Sequence, residues 1–326
     1  MHCGCRRARL LELRMPPSDT VKIKWPGGKA FAFTVFDDPD SQTLKGVRCV
    51  YDFLSDAGLR TTVGVWPCGP TRERNSPGET CGGIEYRQYI QELSRRGFEV
   101  GYHNTTSHSC FRKEIAEGLD AFTDFFGGAP ITMANHYNAE AIYWGRDRLG
   151  GARRAIYRAT SVGRENLFYG HIENSPHFWG DLCASRVRYC RNFAYGNIDT
   201  LQACPWMPYH DPQRPHVNHW FASSDGANVN SLVRLLSEEN QDALEAQGGA
   251  CIVYTHFGLG FVEGSTINDR FRSLIDRLKR KNGWFVPVNT LLDYLLQQRT
   301  DSVITGPQRS DMEWRWLRRK LLSGTS

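Results

Sequence analysis

At 326 residues the chain has room for one large domain or two small ones, and 40% hydrophobic with 23% charged residues describe an ordinary soluble globular protein. The net charge of +5 is modest, and much of the basic excess sits at the ends, at Arg6, Arg7 and Arg9 and from Arg315 to Lys320, so no interior basic stripe marks a nucleic-acid binder. No apolar stretch approaches a membrane span, and the N-terminus lacks the apolar core of a secretory signal.

Residues 1–20 read as a charged, flexible leader, with a short strand expected at Val21 to Lys24. Pro26-Gly27-Gly28 then turns the chain into an almost wholly apolar run, Phe31 to Phe36, which ends on Asp37 and Asp38 with Pro39 behind them. Such a run reads as a strand buried on both faces. Two adjacent carboxylates at its end need compensation, by a metal ion, a catalytic proton or helix capping.

Helical periodicity follows through Leu44, Val47, Val50, Phe53 and Leu54, with Gly58 at the C-cap. A strand is expected at Thr61 to Trp66, and the polar, glycine-rich stretch over residues 69–83 reads as a loop. Tyr86, Ile90 and Leu93 mark another helix. A strand from Phe98 to Tyr102 runs into His103, and Phe111 to Phe122 is helical. A strand near Pro130 to Ala134 runs into Asn135-His136.

Residues 139–215 break this alternation and carry no firm assignment. Regularity returns with a strand at Val217 to Ala222, a helix from Val229 to Ala246, a strand at Ala250 to Thr255 and a helix from Ile267 to Lys281. A strand at Trp284 to Val288 and a helix at Leu291 to Gln298 close the domain, placed at 21–300. Alternating strands and helices predict a parallel sheet covered by helices. The basic, aromatic tail over 301–326 can dock its Trp and Leu side chains on the domain or lie on an anionic membrane surface; docking is the favoured reading. Ten scattered cysteines without a CxxC pair read as free thiols of a reducing, cytoplasmic compartment.

The strand ends collect chemistry. They deliver Asp37, Asp38, His103, His108, His136, Asp225 and His256, and parallel α/β folds gather ligands at that edge. Two histidines and a carboxylate make an open metal site, where bound water becomes a nucleophile. A further carboxylate and a further histidine could serve as base and acid.

These residues carry a resemblance. FTVFDDPD is similar to the TFDDGP motif of the polysaccharide deacetylases, the NodB-homology family. GFEVGYHNTTSH resembles its histidine motif, and GGACIVYTHFG its late strand ending in a histidine. The resemblance spans roughly residues 28–296 and implies an α/β fold, an irregular (β/α) barrel of seven strands, with residues 139–215 as a divergent insertion. It implies removal of an acetyl group from an N-acetylated sugar or related amide, with surface-polysaccharide biosynthesis as the expected setting, using a divalent metal: zinc first, with cobalt, manganese or nickel as alternatives. By position Asp37 resembles the base, Asp38, His103 and His108 the metal ligands, His256 the acid and Asp225 the residue that orients it. His136, Tyr137, His210 and Trp220 are candidates for the substrate site, with Trp144, Trp179 and Trp206 as further stacking surfaces.

Two departures stand out. His103 and His108 are five residues apart instead of four, about 140° around a helix, so only a bent loop lets both reach one ion. The family arginine that pairs with the base is missing, with Ala134 in its place. These departures motivate the alternative of a catalytically degenerate protein that binds glycan or acts as a scaffold.

Overall fold

The apolar run after Pro26 forms β1 (Phe31–Asp37), and all seven of its residues are buried. The computed structural model describes residues 23–161, 167–299 and 302–323. The leader therefore lies outside the described residues; of the strand expected at Val21 to Lys24, Ile23 and Lys24 are described and are not in a strand.

Six further parallel strands follow: β2 (Thr62–Val65), β3 (Glu99–Tyr102), β4 (Thr132–Ala134), β5 (Tyr189–Tyr195), β6 (His219–Asp225) and β7 (Ala250–Thr255). They pair in chain order, and β7 closes on β1 from Ala32↔Ala250 to Asp37↔Thr255. The result is a closed seven-stranded (β/α) barrel, as the sequence predicts. After the hairpin β8 (Val262–Glu263) and β9 (Thr266–Ile267), β10 (Gly283–Phe285) pairs with Phe31 to Phe33, whereas Phe36 and Asp37 pair with β2. An eighth strand thus widens only the N-terminal end of the barrel.

Helices α1 (Leu44–Asp56), α2 (Ile84–Arg95) and α3 (Arg112–Phe126) turn apolar faces to the sheet, α1 through Val47, Val50, Tyr51 and Leu54. Thr43 caps α1 by accepting from Gly46 N–H at 3.1 Å. The region without a sequence assignment supplies α4 (Gly151–Thr160), α5 (Gly180–Arg186), β5 and the short α6 (Thr200–Ala203). The single helix expected over Val229 to Ala246 is two, α7 (Val229–Leu235) and α8 (Glu238–Gln247), because Ser237 caps a new start through Asn240 N–H. Then come α9 (Asp269–Leu278), α10 (Val288–Gln297) and α11 (Gly306–Ser323).

The tail docks. On α11, Trp316 and Leu317 are buried, and Glu313 accepts from Gly150 N–H at 2.8 Å and Arg153 Nε at 2.7 Å. Among the described residues no helix is long and apolar enough to cross a membrane.

Inside the barrel Phe36 fills the centre. A Cβ on Gly101 would come within 2.7 Å of its ring, and one on Gly64 within 3.1 Å, so only glycine leaves room there. Side chains alternate across a strand, so Asp38 shares the inward face of Phe36 and Asp37 points out to the helices.

At the opposite end of the barrel Glu99 accepts from Thr62 Oγ1 at 2.6 Å, Thr132 Oγ1 at 2.8 Å and Asn289 N–H at 3.0 Å. Burial outweighs these bonds and pushes its carboxyl up to about 7. A carboxyl raised in the folded state favours folding when protonated, so this contribution is present at low pH and is lost as pH rises through about 7. Urea unfolding of wild type against Glu99→Gln across pH 5 to 8 should show a wild-type stability loss of about 3 kcal/mol that the variant lacks.

Candidate active site

Four strands bring histidine and carboxylate groups to the C-terminal mouth. At the end of β1 the backbone ladder to β7 continues one residue further, with Asp38 N–H donating to Thr255 O at 2.8 Å. Asp37 is fully buried on the outer face. It accepts from Gln42 Nε2 at 2.6 Å, Tyr51 OH at 3.1 Å and Phe257 N–H at 2.7 Å. Burial pushes its carboxyl up, with Asp38 and Asp40 adding repulsion. These bonds tie β1 to α1 and to the turn after β7, and Asp37 does not line the cleft.

Asp38 points inward and meets Arg191 from β5 in a bidentate pair, 2.9 Å and 2.5 Å, with both side chains buried. The Arg191 guanidinium lies over the rings of Tyr254 at 4.4 Å and Phe36 at 5.2 Å, which hold its plane. An arginine thus enters the site from β5 and pairs with Asp38, the residue matched to the metal ligand, instead of entering from β4 to pair with the base. Arg191 does not stand out in the sequence because its strand lies in the unassigned region. Its signal was an arginine on the same face as Tyr189 and Phe193 within a strand-like run, YCRNFAY.

The groups that converge are Asp40, His103 and His136, whose ligand atoms lie within 4.8 Å of one another. His136 Nε2 is 3.2 Å from Asp40 Oδ1, and His103 Nε2 is 3.4 Å from Asp40 Oδ2. Burial alone would raise the Asp40 carboxyl, but hydrogen bonds and charge from the two imidazoles hold it far below the usual carboxylate range. Burial lowers His103, whereas for His136 burial also lowers, but the hydrogen bond and charge of Asp40 together with Asn138 and Glu140 outweigh it and raise the ring. Asp40 was not among the residues singled out from the sequence. Its signal was its position two residues past Asp38, on the far side of a proline.

Asn104 joins the two histidines. It follows His103 in the left-handed region, φ 61°, where Asn is tolerated, and turns the chain off β3. Its Oδ1 accepts from His136 N–H at 3.2 Å, and its Nδ2 donates to Glu140 at 3.1 Å. Asn138 orients the second ring. Its Nδ2 donates to the carbonyls of Thr106 and His108 and to Glu140, so its Oδ1 faces His136 Nδ1 at 2.9 Å as acceptor. His136 therefore donates Nδ1–H to Asn138, and its Nε2 is the ring atom that bonds Asp40 and that could turn a lone pair to an ion held between them.

His256 follows β7. Its Nδ1 donates to Ala227 O at 2.7 Å, which leaves Nε2 facing the cleft, 3.7 Å from Asp40 Oδ2. Other expected residues lie elsewhere. His108 turns away, its Nε2 accepting from Thr71 N–H at 3.0 Å and its Nδ1 3.1 Å from Ser109 O; the extra residue before it does not fold the ring back. Asp225 lies 3.9 Å from Arg319 and does not touch His256, whose orienting partner is a backbone carbonyl. His210 bonds Asn218 O at 3.0 Å beside the start of β6, the end away from the mouth. Trp220 and Trp179 are fully buried in the core, whereas Tyr137 and Trp144 line the cleft.

The cleft has a volume of about 320 Å³. Asp38, Asp40, His103, His136 and His256 line its floor, and the insertion and α11 provide its outer wall, including Trp144, Arg148, Tyr157, Trp316 and Lys320. The donor set suits a divalent ion: two imidazoles and a carboxylate at separations near the edge of a tetrahedron with bonds of about 2.0–2.1 Å.

Removing one partner from a buried pair leaves the other charge stranded, at a cost of about 3–5 kcal/mol. Arg191→Leu should destabilise the protein by that amount in urea titrations. The double variant with Asp38→Leu should lose clearly less than the sum of the single losses.

No protein-family model matches the sequence, and no curated protein matches it. Solved structures do. A protein from Mycobacterium smegmatis provisionally classed as a polysaccharide deacetylase aligns over 89% of this chain and 99% of its own, at 12% identity and a TM-score of 0.52. The allantoinase PuuE aligns over 88% of this chain and 95% of its own, at 11% identity and a TM-score of 0.50. The resemblance seen in the strand-end motifs thus extends to the whole barrel: the chain has the polysaccharide-deacetylase fold.

Proposed function

We propose that this chain is a metal-dependent hydrolase that removes an acetyl group from an N-acetylated sugar or a related amide, with surface-polysaccharide precursors as the expected setting. The observation that carries this reading is the convergence of Asp40, His103 and His136 beside the Asp38–Arg191 pair and His256. Fold likeness to a provisional polysaccharide deacetylase and to an allantoinase supports hydrolysis at a C–N bond.

Asp40 and the Nε2 atoms of His103 and His136 would hold the ion. A divalent cation there supplies Lewis-acid polarisation of an acyl carbonyl and acidifies water. Asp38, oriented by Arg191, is the carboxylate placed to accept the proton of the attacking water. His256, with Nδ1 committed to Ala227 O, can carry a proton on Nε2 and deliver it to the leaving amine. Asp37 keeps a positioning role beneath this floor. Zinc suits the N/O donors, and cobalt, manganese and nickel remain chemically compatible.

The degenerate, glycan-binding alternative was motivated by a missing arginine and a stretched histidine spacing. Arg191 gives Asp38 a guanidinium partner and His136 offers a second imidazole beside Asp40, which favours the hydrolase over that alternative. The cytoplasmic setting is supported by thiol chemistry: among the described residues all cysteines are free, and six of them are buried.

Wild type should bind one divalent ion and release acetate from N-acetylated oligosaccharides. His136→Ala should lose the ion, and His108→Ala should keep it, by elemental analysis. His256→Ala should keep the ion while acetate release falls by about 10²–10⁴-fold. A wild-type protein that binds no divalent ion and releases nothing sinks the reading.

A further inference from the structure

Helix α11 has two sides, and the barrel uses one of them. Met312, Glu313, Trp316 and Leu317 are buried against the domain. At 3.6 residues per turn, Arg315, Arg318, Leu321 and Leu322 fall on the opposite side. A helix that only covers a barrel turns polar residues to water. Here Leu321 is 48% exposed and Leu322 81% exposed, among arginines.

Beside this side lies a hollow of about 540 Å³ between α11, the end of β5 and α6. Tyr195, Gln202 and Leu322 line it together with Arg315, Arg318 and Arg319, and among the described residues no carboxylate does. Two carboxylates reach these cations from outside the hollow. Asp311 lies 2.8 Å from Arg315, and Asp225 lies 3.9 Å from Arg319, a long contact. Arg318 is exposed, with its guanidinium carbon 5.9 Å from the ring centre of Trp314. Arg319 lies against Gly196, where a Cβ would collide with its guanidinium, and its Nε is buried without a hydrogen-bond partner. Three guanidiniums against two carboxylates leave this side of α11 basic, and a guanidinium fork suits phosphate oxygens.

The leucines decide which source of phosphate fits. A phosphate in solution gains nothing from two exposed leucines. An anionic bilayer offers phosphates to the arginines and, just beneath them, an acyl boundary to the leucines. Arginine stems lie readily along such a boundary while the charge stays at headgroup level.

We propose that the outer side of α11 is a membrane-docking surface: Arg315, Arg318 and Arg319 take the phosphates of anionic lipid headgroups while Leu321 and Leu322 enter the acyl boundary. The inference stands independently of the hydrolase reading. Trp316, on the inner side of the same helix, lines the cleft. Docking in this way holds the cleft about one helix diameter, roughly 10 Å, from the lipid surface.

Flotation of the full chain with vesicles tests it, phosphatidylcholine alone against phosphatidylcholine mixed with phosphatidylglycerol. The anionic vesicles should bind about tenfold or more tightly, and the difference should shrink with added salt. Arg318→Glu and Leu322→Ser, both at exposed positions, should each weaken binding to the anionic vesicles by about fivefold or more. Lys113→Glu, the same charge change at an exposed position on α3, should bind as wild type does. The proposal is overturned by equal or absent binding to the two vesicles, or by a loss in Lys113→Glu as large as that in Arg318→Glu. It is overturned equally by Leu322→Ser leaving binding intact, which would make the hollow a site for phosphate in solution.

Discussion

Closure of a parallel barrel imposes an alternation at each strand end, and the site depends on it. Because β7 pairs with β1 through Asp37, and Asp38 N–H extends that ladder, neighbouring aspartates must face opposite layers. Asp37 enters the helix layer and becomes a buried tie among Gln42, Tyr51 and the Phe257 amide. Asp38 enters the barrel, where a lone carboxylate would be intolerable, and Arg191 from β5 meets it. That ion pair lies across the barrel interior, above Phe36, and forms the floor on which the histidines stand.

The same floor explains why the metal-type cluster uses Asp40. With Asp38 committed to Arg191, the carboxylate beyond Pro39 is the one that meets both imidazoles. Asn138 holds the His136 ring from behind, and Asn104 and Glu140 join the loop after β3 to the loop after β4. The orientation of the His136 ring is therefore a property of two loops bonded to each other, and the fully buried Trp66 packs edge-on against it.

Much of the barrel was legible in the sequence because its strands are apolar runs and its early helices keep a clear period. Ala250 to Thr255 matches β7 residue for residue, and the mouth of the barrel was recognisable as the place where aspartate and histidine collect. The site was legible as a composition and much less as a geometry. A motif aligned by letters places Asp37 and Asp38 in the roles of base and ligand, but the register of β1 against β7 decides which way each points, and that register is a long-range property. His108 follows a bend whose course depends on bonds to Thr71 and Ser109, which spacing does not encode. Arg191 was hidden because the insertion around β5 has no regular period, although an arginine between Tyr189 and Phe193 on one strand face is itself a sign of a buried partner.

The central claim is that the ion belongs to Asp40, His103 and His136, with Asp38 held back by Arg191. Anomalous diffraction from crystals soaked in zinc tests it most directly. The account predicts one strong peak at about 2.0–2.2 Å from an Asp40 oxygen and from both Nε2 atoms, with the Asp38–Arg191 pair intact. A peak bound by Asp38 with Arg191 displaced, or one bound by His108, would contradict it.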